Sequence, residues 1–180
     1  MRSHGKAKIS GKEVALLGIF VAYALVMSLI ERMIPLSFSI PGIRLGLTNV
    51  VVLMALYLFH VSRAFLLMIL KCLLAAIFAG NASALFFSLG GSILSFFVML
   101  ALIRLFKDER ISPVGVSVAG AVSHNIGQVL VACLMIQSWV VLLYLPILLL
   151  VGIGTGTVIG FTVLRLRPYL DLYLRTRKGE

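Results

Sequence analysis

Three neighbouring side chains inside an apolar run, His124, Asn125 and Gln128, are the best candidates for chemistry in this sequence. An imidazole and two carboxamides can donate and accept several hydrogen bonds, the equipment for holding a small polar molecule. On a helix His124 and Gln128 share a face at i, i+4, and Asn125 joins Gln128 at i, i+3. Gly120 and Gly127 lie one turn to either side of His124 and leave open space around the ring. The run begins at Pro113, so His124 lies about 16 Å along a helix, near the middle of a hydrocarbon core about 30 Å thick. Polar groups at that depth turn away from lipid toward a bundle interior. A binding role follows from their clustering between glycines, and structural hydrogen bonding between helices is the alternative.

The host of this cluster is a membrane protein. Of the 180 residues, 61% are hydrophobic and 12% charged, and the mean hydropathy is +1.13. Soluble domains average about 45 to 50% apolar and 25% charged. A chain of this length holds about six spans of roughly 20 residues, with almost nothing left for an extramembrane head. The net charge of +10 does not point to nucleic acid, because the basic residues flank apolar runs instead of forming a patch with interleaved aromatics. The spans contain no carboxylate pair, Cys–His ligand set, nucleophile with a base, or phosphate-cradling loop. Neither a catalytic centre, a metal site nor a cofactor is expected. Cys72 and Cys133 fall in different spans at opposite depths and read as small packing residues, not a disulfide.

The reading is an all-α integral membrane protein, one domain of six transmembrane helices. Its spans are 14–30, 45–59, 64–79, 84–106, 113–136 and 140–164, followed by a basic tail over 165–180. Arg2, Lys6, Lys8 and Lys12 imitate a signal peptide, but the apolar run continues to Ile30 without a small-x-small cleavage site, so an uncleaved first span is expected. Gly11, Ala15, Gly18 and Ala22 make a small-residue stripe on that span, suited either to packing within the chain or to docking a separate subunit. From Glu31 to Arg44 the chain leaves the membrane. Pro35 and Pro41 break helix there, and Leu36, Phe38 and Ile40 alternate with Ser37 and Ser39, as in an extended lid or an interfacial loop.

Thr48 and Asn49 lie one turn inside the outer end of span two. Lys71 lies about 10 Å into span three, where its ammonium can snorkel to the cytosolic interface or else meet an anionic ligand. In span four, Ser88, Gly91 or Ser92, and Ser95 form a small-residue face, with bulk from Phe86, Phe87, Phe96 and Phe97. Span six carries a packing ridge at Gly152, Gly156 and Gly160, and in the tail Leu170, Tyr173 and Leu174 could lie on the membrane surface. Thirteen Lys and Arg fall on one side of this topology against two, Arg32 and Arg44, on the other, which orients both termini to the cytoplasm.

Three stretches carry a resemblance. Pro41-Gly42-Ile43-Arg44-Leu45-Gly46-Leu47-Thr48-Asn49 is the first, and Val118-Ala119-Gly120-Ala121-Val122-Ser123-His124-Asn125-Ile126-Gly127-Gln128 the second and more specific. The third is Tyr144-Leu145-Pro146 with Gly152 and Gly156 beyond it. They resemble the bacterial Gx transporter family, also labelled heptaprenyl diphosphate synthase component I, from Val14 to about Leu164. That family is similar to the substrate-capture S subunits of energy-coupling factor (ECF) transporters. The resemblance implies a six-helix bundle in the bacterial cytoplasmic membrane, with a pocket opening outward under the loop between spans one and two. It also implies toppling in the membrane when the bundle docks on a transmembrane coupling subunit with two ATPase subunits. S subunits commonly dock through an Ala-x-x-x-Ala pattern in span one, and the matching place here reads Gly11, Ala15, Gly18, Ala22.

The expected function is therefore capture of a small vitamin-like or cofactor-related solute outside the cell and its delivery inward. His124, Asn125 and Gln128 would hydrogen-bond the solute, Arg44 and Asn49 would contribute from the mouth, Lys71 from below, and the loop with Phe38, Pro41 and Gly42 would close as a lid. Six spans without inverted repeats or charge-relay residues make a poor ion-coupled carrier, so energy would come from the ATPase partners. The competing expectation is a non-transporting accessory or scaffold subunit, for example one serving heptaprenyl diphosphate synthesis. A catalytic synthase is not expected, since diphosphate chemistry needs acidic clusters to hold Mg²⁺. Of Glu13, Glu31, Asp108, Glu109, Asp171 and Glu180, only Asp108 and Glu109 are adjacent.

Overall fold

The computed structural model describes residues 11–33, 45–80 and 82–176. Arg44, Phe38, Pro41 and Gly42 lie outside them. The described chain is all helix and turn: α1 (Gly11–Met33), α2 (Asn49–Leu58), α3 (Val61–Ala79), α4 (Ala82–Arg110), α5 (Pro113–Ile136) and α6 (Leu145–Thr176), with a short 3₁₀ segment at Trp139–Tyr144. Local chemistry fixes several ends. Ser112 Oγ accepts the Gly115 N–H at 3.2 Å in front of Pro113, whose own lack of an N–H costs nothing in a first turn. Gly80 and Gln137 stop α3 and α5 in the left-handed conformation.

Five of these helices are long and apolar enough to cross a bilayer, as a multi-pass membrane protein requires. The exception is α2. Its 10 residues rise only about 15 Å, half of a hydrocarbon core. The sequence puts a helical span over 45–59, but Gly46 is left-handed (φ +79°) and the helix starts three residues later. Residues Asn49 to Leu56 are all buried, so α2 is a central half-helix surrounded by the other five.

Around it, α5 packs between α4 and α6, and α1 lies at the edge against α2 and α3. Burial follows this order, with 56% of the apolar window of α5 inside the bundle and 17% of that of α1. The main core joins Leu53, Met68, Phe96 and Met99, all fully buried, and a smaller one joins Phe87, Val129, Val141 and Leu148. The four rings of α4 divide as a helix facing both core and lipid should: Phe87 and Phe96 are buried, Phe86 and Phe97 exposed.

Backbones approach closely at two seams. A Cβ on Gly127 would lie 2.5 Å from the Gly90 carbonyl oxygen, so α4 and α5 touch main chain to main chain. On the ridge of α6, Gly156 and Gly160 meet the α5 backbone in the same way, at Val118 and Val114, while Gly152 lies against the Asn125 side chain. The stripe on α1 behaves differently. Gly11, Ala15, Gly18 and Ala22 are all exposed, and a Cβ on Gly11 or Gly18 would touch nothing. Packing within the described chain does not account for that stripe.

Three boundaries differ from the sequence reading. Glu31 belongs to the last turns of α1 and is buried, not in a loop. α4 runs on to Arg110, taking in the charged turn, and α6 continues through Pro168 to Thr176, so the tail extends the sixth helix. The Arg167 guanidinium stacks over the Tyr57 ring, 4.2 Å from its centroid, which ties this extension to the end of α2.

Gly127→Ala should destabilise the bundle by about 1 to 3 kcal/mol, since the added methyl drives α4 from α5. Gly154→Ala, where a Cβ meets open space, should leave the unfolding temperature unchanged or slightly raised. Thermal unfolding of both variants in detergent checks the pair.

Candidate functional site

The site is assembled where α2 begins. Glu31 on α1 turns inward and its Oε1 accepts the Gly46 N–H. Gly46, left-handed, lets the chain reverse into the half-helix, and tight backbone bonds from Asn49 N to Gly46 O (2.9 Å) and from Val50 N to Leu47 O (3.2 Å) close its first turn. This leaves Thr48 and Asn49 at the N-terminus of α2, 8% and 3% exposed, inside the bundle.

Lys71 reaches the same place from α3. It is 3% exposed, and its Nζ donates to Thr48 Oγ1 at 2.9 Å and to Asn49 Oδ1 at 3.3 Å. It does not snorkel to the interface. Lys71 shares the inward face of α3 with Leu67, Met68, Cys72 and Ala75, and the two oxygens at the start of α2 replace the water it would otherwise seek.

His124 and Gln128 enter from α5, and their shared face is observed. Both pack on Gly91 of α4, where a Cβ would come within 2.8 Å of the imidazole and of Gln128 Cγ. On its other edge the ring meets Gly46, where a Cβ would lie 3.1 Å from both His124 Cδ2 and Asn49 Nδ2. The imidazole is therefore held between two glycine backbones, next to the Asn49 carboxamide. Asn125 does not join this group. One residue on from His124 it points about 100° away, and its Nδ2 donates to the Leu148 carbonyl at 2.5 Å, beside Gly152 of α6. Asn49 and Lys71, placed by the sequence at mouth and base, are instead in direct contact with each other.

Glu31, Gly46 and Gly91 were not singled out by sequence reasoning as site residues. Their signals were slight: an acid closing an apolar run, and glycines whose role depends on what packs against them. Nearby, Ser88 Oγ donates to Cys72 Sγ at 3.3 Å and Cys72 Sγ lies 3.4 Å from Ser92 Oγ, a small polar packing of α3 on α4. Cys72 and Cys133 are both buried and free. Among the described residues no three His, Cys, Asp or Glu side chains gather as a metal site would need.

The arrangement can hold a polar group. An ammonium, two carboxamides and an imidazole converge from α2, α3 and α5, beside the Glu31 carboxylate and the Thr48 hydroxyl, and Asn49 Nδ2 has no hydrogen-bond partner. A buried donor left in that state costs roughly 1 to 3 kcal/mol.

A family model described as heptaprenyl diphosphate synthase component I matches residues 20–166. The chain belongs to that family. No curated protein and no solved structure matches it. The component I match spans Glu31, Gly46, Asn49, Lys71, Gly91, His124 and Gln128, so the whole constellation lies within the matched stretch.

Gly46→Ala should lower stability by about 1 to 2 kcal/mol, because alanine resists the left-handed backbone and its methyl crowds Asn49 and His124. Thermal unfolding with circular dichroism should show the loss while the helical content at low temperature stays unchanged.

Proposed function

We propose that this chain is a solute-binding membrane subunit of an ECF-type importer, capturing a small vitamin-like or cofactor-related solute outside and delivering it to the cytoplasm. The observation that carries the reading is the convergence of Asn49, Lys71, His124 and Gln128 inside the bundle. Membrane helices bury such groups at a cost and keep them where a polar guest is handled. The solute would be held against His124 and Gln128, with Asn49 and Lys71 opposite. Arg44 and the loop with Phe38, Pro41 and Gly42 would stand over it. Asn125 would brace α5 against α6 instead of touching the solute.

The exposed stripe of Gly11, Ala15, Gly18 and Ala22 supports a transmembrane coupling subunit as partner, since small residues let another helix approach closely. Two ATPases would supply the energy. Both termini would then face the cytoplasm of a bacterium, on the side with thirteen of the Lys and Arg residues.

A second reading has the family's description in its favour: a non-transporting accessory subunit of heptaprenyl diphosphate synthesis. Co-purification separates the two, an ATPase-containing complex supporting the importer and a soluble prenyltransferase the accessory.

Cells producing the protein should deplete at least one small component of a defined medium, followed by mass spectrometry of the spent medium. His124→Ala and Gln128→Ala should each slow that depletion at least about tenfold, the effect of losing one buried hydrogen bond to a ligand. Equal depletion by the wild type and both variants would sink the assignment of the site.

A further inference from the structure

We propose that the crevice between α1 and α3 is a lipid site, which seats one acyl chain of a bilayer phospholipid from the leaflet at the Met33 and Ala79 ends of those helices.

The crevice is lined by Leu25, Ser28 and Leu29 of α1 and by Ala75 and Phe78 of α3, and it holds about 270 Å³ of empty space, part of it open to the surroundings. All five residues lie within the windows of α1 and α3 that are long and apolar enough to cross a bilayer, Val14–Glu31 and Val61–Ala79. The crevice therefore opens on hydrocarbon. Its depth follows from the rise per residue: Ala75 lies about 6 Å from the end of α3, and Leu29 and Leu25 lie about 6 and 12 Å from the end of α1. These depths fall within the roughly 15 Å that one leaflet contributes to the hydrocarbon core.

Size and polarity decide what fills such a space. Water needs two to four polar partners, and Ser28, itself 4% exposed, is the only polar residue of the five. One turn of a helix, about 10 Å across and 5.4 Å long, displaces roughly 420 Å³, more than the crevice holds. A single methylene chain is about 4 Å thick, the contact distance of carbon atoms, and is thin enough to enter. Left empty, the crevice forfeits the dispersion contacts of the atoms that line it, and in lipid such contacts are a main source of helix association. The acyl chain supplies them where α1, the least buried of the five membrane-crossing helices, lies against α3.

The small-residue stripe of α1 does not compete for this place. It ends at Ala22, one turn before Leu25, and the rim of the crevice carries Leu29 and Phe78, 49% and 62% exposed, whose bulk holds another helix off. The same acyl chain would brace the polar site. Ser28 lies one turn before Glu31 and Ala75 one turn after Lys71, so the gap it fills lies between the two segments that carry those side chains.

The test is native mass spectrometry of the full-length protein, delipidated in detergent and then given palmitoyl-oleoyl phosphatidylglycerol, palmitoyl-oleoyl phosphatidylcholine or glycerophosphocholine, which has the headgroup without the chains. The wild type should retain one tightly held phospholipid with either headgroup and no glycerophosphocholine, and its unfolding temperature should rise with both lipids. Ala75→Phe fills the crevice from within and should lose the adduct. Because a large ring at a buried position can prevent folding, Leu29→Trp at the exposed rim is the second variant: it should fold like the wild type and retain at least about tenfold less phospholipid at the same concentration. Leu143→Trp, at an exposed position in the 3₁₀ segment, should behave as the wild type.

Retention by Leu29→Trp equal to that of the wild type would overturn the proposal, whether or not Ala75→Phe folds. So would retention that follows the headgroup, with glycerophosphocholine held as well as the phospholipid. A wild-type dimer that Leu29→Trp dissolves would also overturn it, giving the crevice to a second copy of this chain.

Discussion

The turn at Gly46 is the constraint on which the rest depends. A chain inside a bilayer must satisfy its backbone polar groups within the protein, and a helix whose first residues are buried in the bundle needs partners there for the N–H groups of its first turn. Here the Glu31 carboxylate takes the Gly46 N–H and short-range bonds close the first turn of α2. Only with that solution can Thr48 and Asn49 stand inside the bundle and draw Lys71 toward them. Irregular backbone at membrane depth is tolerated where protein buries it or a cavity needs it. In this fold both the burial and the unpartnered Asn49 donor occur at one spot.

The glycines give the arrangement its rigidity. Where α4 and α5 touch through Gly90 and Gly127, the neighbouring Gly91 brings the α4 backbone against His124 and Gln128. On the far side the glycine ridge of α6 locks onto α5, with Asn125 hydrogen-bonded across that seam. The three-helix slab of α4, α5 and α6 thus holds one wall of the site. The opposite wall, the turn at Gly46, is tied to α1, the least buried helix, whose small-residue stripe faces outward. A partner docking on α1 would push on the same helix that sets the turn, which gives the proposed importer a mechanical link between docking and the grip on its solute.

The sequence made much of this legible. Long apolar runs with charges at their ends yield the helices, and the spacing of Gly152, Gly156 and Gly160 yields the α5–α6 seam. The spacing of His124 and Gln128 yields their shared face. The placement of Asn125 against α6 is not legible, because adjacency in sequence is not adjacency on a helix and its partner, the Leu148 carbonyl, leaves no sequence signal. Lys71 was ambiguous for a related reason: depth alone does not say which way a flexible side chain bends, and the oxygens that draw it inward sit on a helix whose start depends on one left-handed glycine. The half-length of α2 is hidden by Leu45 and Leu47, which prolong the apolar run while the backbone turns at Gly46.

The central claim is that the polar groups at the head of α2 face a guest and not merely one another. Native mass spectrometry of the purified protein, released from its micelle, tests this most directly. The account predicts a small non-lipid molecule retained by the wild type and lost from Gln128→Leu, which keeps the packing volume but removes the carboxamide. Identical masses for wild type and variant, with lipid the sole adduct in both, would contradict it and reduce the constellation to a means of holding helices together.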